Sequence, residues 1–199
     1  MKQITANEFY AMIIENPSVF KHWETPLEIT EFVDCRESNI THLSSKLTFS
    51  GKNKNGECAD FSHCHTLKIA TGKFHTGVLF TNSNIEKIEN LEVSGVDKYG
   101  ASAYFYSCPN LKIATGTYEG AADFEETGIE SIQNLHVKNP DKNGMYAYFA
   151  GCENLHTLES WDITKKTNIE IEKFSAEKTR LKRLKEFIKR NQPDTLPFL

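Results

Sequence analysis

No stretch of this chain approaches the roughly 18 consecutive apolar residues that a membrane-crossing helix needs. The opening residues, MKQITANEFYAMIIENP, are interrupted by Asn7, Glu8 and Glu15 and lack the apolar core of a secretory signal. A phosphate-binding loop, a dinucleotide fingerprint and a paired CxxC zinc motif are all missing. The cysteines number five, and an odd count with no export signal reads as reduced thiols. These absences set the expectation of a cytoplasmic protein with no cofactor, no metal and no membrane span.

What is present is an ordinary globular composition. Of 199 residues, 39% are hydrophobic and 25% charged, enough for a single continuous core. The charge is uneven. Residues 1–164 hold 13 Lys and Arg against 22 Asp and Glu, a net −9; residues 165–199 hold 10 against 5, a net +5. An acidic body carries a basic tail.

Shifting the chain by 44 residues aligns three copies, without insertion, from Leu47 to Leu155. Leu47, Leu91 and Leu135 coincide. So do Gly56, Gly100 and Gly144; Ala59, Ala103 and Ala147; Phe61, Phe105 and Phe149; and Cys64, Cys108 and Cys152. The hexapeptide LKIATG stands at residues 67–72 and again at 111–116. Each copy divides into two coils, and each coil opens a Leu-x-apolar triplet at Leu47, Leu67, Leu91, Leu111, Leu135 or Leu155. Their spacing alternates between 20 and 24 residues, which predicts a solenoid of short parallel strands. Alternation along a strand would turn both apolar residues of a triplet inward. The middle residues, Thr48, Lys68, Glu92, Lys112, His136 and His156, would then form one exposed row.

The segments FSHCHTLKI, FYSCPNLKI and FAGCENLHTL share an F-x-x-C-x-x-L step, and GIESIQNLHV carries an Ile-x-x-Ile step. Through these, the chain from about Ile40 to Leu158 resembles the BspA-like (Treponema pallidum class) leucine-rich repeat proteins. The resemblance implies an α/β leucine-rich-repeat-like solenoid that serves adhesion or protein binding. Helical caps at both ends complete the expected fold, because a solenoid otherwise exposes its core. The expected organisation is an N-terminal cap over 1–39, a solenoid of 44-residue double coils over 40–164, and a basic amphipathic cap helix over 165–199.

TANE at residues 5–8 is a capping box, predicting a helix from about Ala6 to Asn16, with Phe9, Met12 and Ile13 against the first coil. LEITEFV is expected to begin the sheet. In the tail, Ser175 is the expected N-cap of a helix with Leu181, Leu184, Phe187 and Ile188 on one face and a run of Lys and Arg on the other. Cys64, Cys108 and Cys152 would sit roughly 10 Å apart in stacked coils, too far for disulfides, and read as small buried fillers. Gly56, Gly100 and Gly144 are expected at positive φ in polar loops. Asn90, Asn110, Asn134 and Asn154 are expected to serve backbone groups where the chain enters each coil.

No catalytic constellation recurs. In SHCHTL, alternation would send His63 and His65 to the side opposite Cys64, so the three could not share a metal. Cys58 is expected in a loop. Asp123, Glu125 and Glu126 cluster in one copy only, where the previous copy has Leu79, Thr81 and Asn82, and read as a patch for a basic partner or as ordinary surface. Tyr104 matches Tyr148 and is expected to be structural, whereas Tyr99 and Tyr106 vary between copies and are interface candidates. The candidate partner-binding residues are therefore Lys68, Glu92, Lys112, His136, His156, Tyr99, Tyr106, Asp123, Glu125 and Glu126. The expected function is a non-enzymatic, monomeric protein-binding module, of the inhibitor or immunity type, that occludes a basic protein and has no small-molecule substrate. Two alternatives stand beside it. One is a surface adhesin module; the other is nucleic-acid binding through the basic C-terminal helix, which the acidic body opposes.

Overall fold

In the computed structural model the described residues are 1–155 and 169–170, with the backbone alone for 131–134 and 169–170. The elements are β1 (Lys2–Ile4), α1 (Ala6–Glu15), β2 (Leu27–Ile29), β3 (Val33–Asp34), β4 (Leu47–Phe49), β5 (Glu57–Asp60), β6 (Ile69–Ala70) and β7 (Lys73–Phe74). They continue with β8 (Gly77–Leu79), β9 (Lys87–Val93), β10 (Ala101–Tyr104), β11 (Ile113–Tyr118), β12 (Ala121–Asp123), β13 (Ser131–Val137), β14 (Ala147–Tyr148) and β15 (Ile169–Glu170).

The chain winds into a parallel β-solenoid with two sheets. Sheet A runs β1-β2-β4-β7-β9-β11-β13, with β6 also on β9. Sheet B runs β3-β5-β8-β10-β12-β14-β15. The seven strands along sheet A mark six turns. Each turn after the first visits both sheets, so these coils have two strands rather than the single triplet strand expected. Sheet B is the part the triplets did not reveal. Its strands are two to four residues long and their inward positions are small: Val33, Ala59, Val78, Ala103, Ala122 and Ala147 in one register. Sheet A carries the larger inward residues Ile4, Ile29, Phe49, Phe74, Val93, Tyr118 and Val137.

The space left by the small residues of sheet B is filled from the corner that follows it. Phe61, Phe80, Phe105, Phe124 and Phe149 are fully buried and stack face to face along the axis. Successive ring centroids lie 5.5, 5.3, 4.9 and 5.4 Å apart, close to the ~4.8 Å rise of one strand. Burial of each ring stabilises the fold by about 1.5–3 kcal/mol, and stacking adds to this.

Next in each coil comes a residue in the left-handed region: Glu37, His63, Asn82, Ser107, Glu126 and Gly151, with φ from 53° to 74°. A buried hydroxyl or thiol follows: Ser38, Cys64, Ser83, Cys108, Thr127 and Cys152. The three cysteines are thus every second member of a mixed ladder. Each thiol is 3.3–3.4 Å from the hydroxyl of the coil before it. Each also donates to a carbonyl of that coil: Cys64 to Cys35, Cys108 to Phe80 and Cys152 to Phe124, at 2.9–3.0 Å. They are buried as expected, but they are hydrogen-bonding members of the corner as well as fillers. All five cysteines are unpaired.

LKIATG does not run as one inward-outward strand. Leu67 is buried in the turn that leaves the corner, where its amide donates to the Cys64 carbonyl at 3.2 Å. Ala70 and Ala114, not the isoleucines, face the core; Ile113 is 47% exposed. The extra length of this coil places the inward aromatic later, at Phe74 and Tyr118. The register absorbs the difference in a bulge: Ala114 pairs Ile88 and Gly116 pairs Leu91, leaving Glu89 and Asn90 opposite Thr115. Asn90 takes φ 49° there, and its amide donates to the Thr115 hydroxyl at 2.8 Å. The four expected asparagines are therefore not one ladder. Asn110 instead lies in the corner turn and donates to Asn84 at 3.5 Å.

The N-terminal helix forms with both halves of its capping box, Thr5 and Glu8. Phe9 stacks on Phe20 at 4.9 Å and meets Phe49 edge-on at 5.4 Å. β1 precedes the helix and pairs with β2, so the helix lies inside the first turn, where later turns run a sheet-B strand. LEITEFV supplies β2 and the first residue of β3, so it begins sheet B, but β1 comes before it in sheet A. The expected C-terminal cap helix and His156 lie outside the described residues.

Candidate interaction face

Two features of the loop edge and of sheet B place the candidate side chains. The loops GKNKNG, GVDKYG and NPDKNG stack on one another: the Lys98 amide donates to Asn55 and the Lys142 amide to Tyr99. Gly56, Gly100 and Gly144 take φ of 85°, 93° and 81°, as expected. One residue organises each loop. Asn53, Asp97 and Asp141 each accept two backbone amides on a single side-chain oxygen. The second oxygen of Asp97 accepts from the Tyr104 hydroxyl at 2.8 Å, and that of Asp141 accepts from the Tyr148 hydroxyl. Burial, reinforced by the bond to Asp97, pushes the Tyr104 hydroxyl above its usual range. The structural role expected of Tyr104 and Tyr148 is met: their hydroxyls tie sheet B to the loops.

The ten candidates do not share one surface. Glu92 and His136 lie in the outward row of sheet A, which runs Glu28, Thr48, Lys73, Glu92, Thr117, His136. Lys73, not Lys68, stands between Thr48 and Glu92. Lys68 and Lys112 belong to another row, because the strand begins two residues later than the triplets implied. Lys68 pairs with Glu86 at 2.6 Å and Lys112 with Glu130 at 2.9 Å, each on the next coil. The bond it donates to Glu130 holds the Lys112 ammonium above its usual range. Lys73–Glu92 and Lys138–Glu119 repeat the pattern at 3.0 and 2.9 Å. Across its strands sheet A balances Lys2, Lys73 and Lys87 against Glu28, Glu89 and Glu92.

Sheet B is different. Its strands β3 to β14, with the three residues after each, contain no lysine. They contain Asp34, Glu37, Glu57, Asp60, Asp123, Glu125 and Glu126, with Arg36 as the one strong base. Arg36 grips Asp34 with two bonds, at 2.8 and 2.6 Å, and stands 3.7 Å from Asp60. The Arg36 bonds hold the Asp34 carboxyl below its usual range. Here four of the candidates converge. Asp123 lies in register between Tyr104 and Tyr148. Tyr106 and Glu125 occupy one position on neighbouring coils, and Glu126 takes the left-handed corner and accepts from Ser107 at 2.6 Å. Asp123 accepts the Glu125 amide at 2.9 Å, which fixes its side chain against the strand end. Tyr106 is 37% exposed and Tyr99, on the loop edge, 55%, with the Lys98 ammonium 4.8 Å over its ring.

Cys64 points into the core while His63 and His65 point out, lining a shallow cleft with Glu37 and Asn39. Among the described residues no three His, Cys, Asp or Glu side chains gather as metal ligands do. Cys58 is not in a loop; it is buried in β5, and burial pushes its thiol up to about 11. Sequence reasoning missed Asp60, Leu79 and Tyr104 as outward neighbours of Asp123. The signal was the small-x-Phe step shared by both coils of a copy, at Ala59–Phe61, Val78–Phe80, Ala103–Phe105, Ala122–Phe124 and Ala147–Phe149, which the leucine triplets obscured.

No protein-family model, curated protein or solved structure matches the chain. Among the described residues no helix is long and apolar enough to cross a membrane.

Proposed function

We propose that the protein is a non-enzymatic binding module that takes a basic protein partner on the outward face of sheet B. The observation that carries this reading is the segregation of charge. Sheet A balances its acids with lysines from coil to coil, whereas sheet B presents seven acids and one arginine. Tyr106 and the ring of Tyr104 supply apolar contact area beside those acids, the combination that interface hot spots favour. A rigid solenoid holds these groups in place without an ordering cost on binding. An inhibitor or immunity-type role, in which the module occludes a basic protein such as a nuclease, fits this face.

The test is a calorimetric titration of the full chain with an oligo-arginine peptide at low and physiological salt. Replacing Asp123, Glu125 and Glu126 by their amides should weaken binding about tenfold, each exposed or half-buried charge contributing up to ~1 kcal/mol. The same treatment of Glu92 and Glu119 on the sheet-A side should change it less than twofold. Equal losses from the two variants would show that net charge, not this face, attracts the peptide.

A further inference from the structure

We infer that the sheet-B face reads an extended segment of its partner laid along the solenoid axis, with basic residues at positions i and i+4 and an apolar residue at i+2. This rests on the reading of sheet B as the binding face. The outward row is continuous in register from Asp60 through Leu79 and Tyr104 to Asp123. The row runs on to Asp34 before Asp60 and to Tyr148 after Asp123, and the stretch from Asp60 to Asp123 has a carboxylate at each end with an apolar and an aromatic side chain between.

Geometry sets the spacing. Asp60 and Asp123 are three rungs apart, about 14 Å at ~4.8 Å per rung. An extended chain rises ~3.4 Å per residue, so side chains four apart also lie about 14 Å apart and point to the same side. The intervening residue on that side falls near the middle of the row, between Leu79 and Tyr104. A helix covers only about 6 Å in four residues and would miss one carboxylate.

The ends of the row are built rather than loose. Asp60 and Asp123 each accept the amide two residues on, at 2.9 Å, which aims the carboxylate outward from the strand end. Tyr104 is anchored from the other side by Asp97, so its ring stands still beside Asp123. Arg36 lies near Asp60, and Glu125 stands two residues on from Asp123. At either carboxylate a bidentate guanidinium fits better than an ammonium.

The experiment compares three peptides of equal length and charge against the whole chain by fluorescence anisotropy. One has arginines at i and i+4 around a central leucine; the second moves the arginines to adjacent positions; the third is the first with lysines. The spaced arginine peptide should bind at least fivefold more tightly than either of the others. Asp123→Asn and Asp60→Asn should each remove that preference. The asparagines keep the amide-accepting turn, as Asn53 does in its own loop, so the fold is preserved. Equal binding of the spaced and adjacent peptides would overturn this inference while leaving the acidic face as a binding surface. No binding of any peptide would overturn the face itself.

Discussion

Replacing Asp97 by alanine should destabilise the solenoid far more than replacing it by asparagine. Asp97 is 5% exposed. Its carboxylate accepts the amides of Tyr99 and Ala101 at 2.8 and 2.9 Å and the hydroxyl of Tyr104 at 2.8 Å. Hydrogen bonds to a charged group contribute about 1.5–3 kcal/mol each, and their loss here leaves a buried amide and a half-buried hydroxyl without partners. Because the three bonds share one group, their losses overlap, and Asp97→Ala should cost about 3–5 kcal/mol. Asn53 shows what an amide does at the same place one copy earlier. Its oxygen accepts the amides of Asn55 and Glu57 at 2.8 and 3.1 Å. Asp97→Asn should therefore keep two bonds, weaken the third, and cost about 1 kcal/mol. For a chain of this length 1 kcal/mol moves Tm by about 2–4 °C, so thermal denaturation should separate the variants by several degrees. Equal losses for Asn and Ala, or a change under 0.5 kcal/mol for Ala, would refute the reasoning that this oxygen organises the loop stack.

Two further outcomes follow from buried groups. Tyr118 occupies the place of Phe74 in the previous copy, fully buried, with no partner for its hydroxyl among the described residues. Tyr118→Phe should be neutral or stabilising by up to about 1–3 kcal/mol, as chemical denaturation will measure, and a clear loss of stability would show that the hydroxyl has a bound partner. The five buried thiols all have raised pKa values, with burial the leading cause, and Cys58 is pushed up to about 11. Between the ordinary thiol range and these raised values the native state holds protons that the unfolded chain releases. Their stabilisation is complete below the unfolded pKa and falls as pH rises through about 9 to 11. Urea unfolding from pH 7 to 11 should show that decline, and substituting Cys58 by Ala should flatten part of it; a stability independent of pH above 9 would contradict the burial.

The solenoid was legible in the 44-residue offset because stacked coils need the same residue at the same rung. The capping box of α1 and the positive φ of Gly56, Gly100 and Gly144 were legible for local reasons, since a few neighbouring residues decide each. The second sheet was not. Its inward residues are Ala and Val, and its core is supplied by Phe from the corner, so no leucine triplet marks it. The same displacement misplaced the outward row. Lys68 and Lys112 follow the buried corner leucines, and only pairing across the bulge shows that Lys73 shares a row with Glu92. The candidates chosen because copies disagree, Tyr106, Asp123, Glu125 and Glu126, came together, because variation within a fixed scaffold is confined to outward positions. Why Asp60 belongs with them depends on sheet-B register, which alternating coil lengths conceal in sequence.

The claim that sheet B is the binding face is tested most directly by amide hydrogen exchange of the full-length protein with and without the spaced arginine peptide. Protection should rise in residues 59–62, 79–82, 104–107 and 121–126, and stay unchanged in β7, β9 and β11 of sheet A. Protection confined to sheet A, or no change anywhere at saturating peptide, would contradict it.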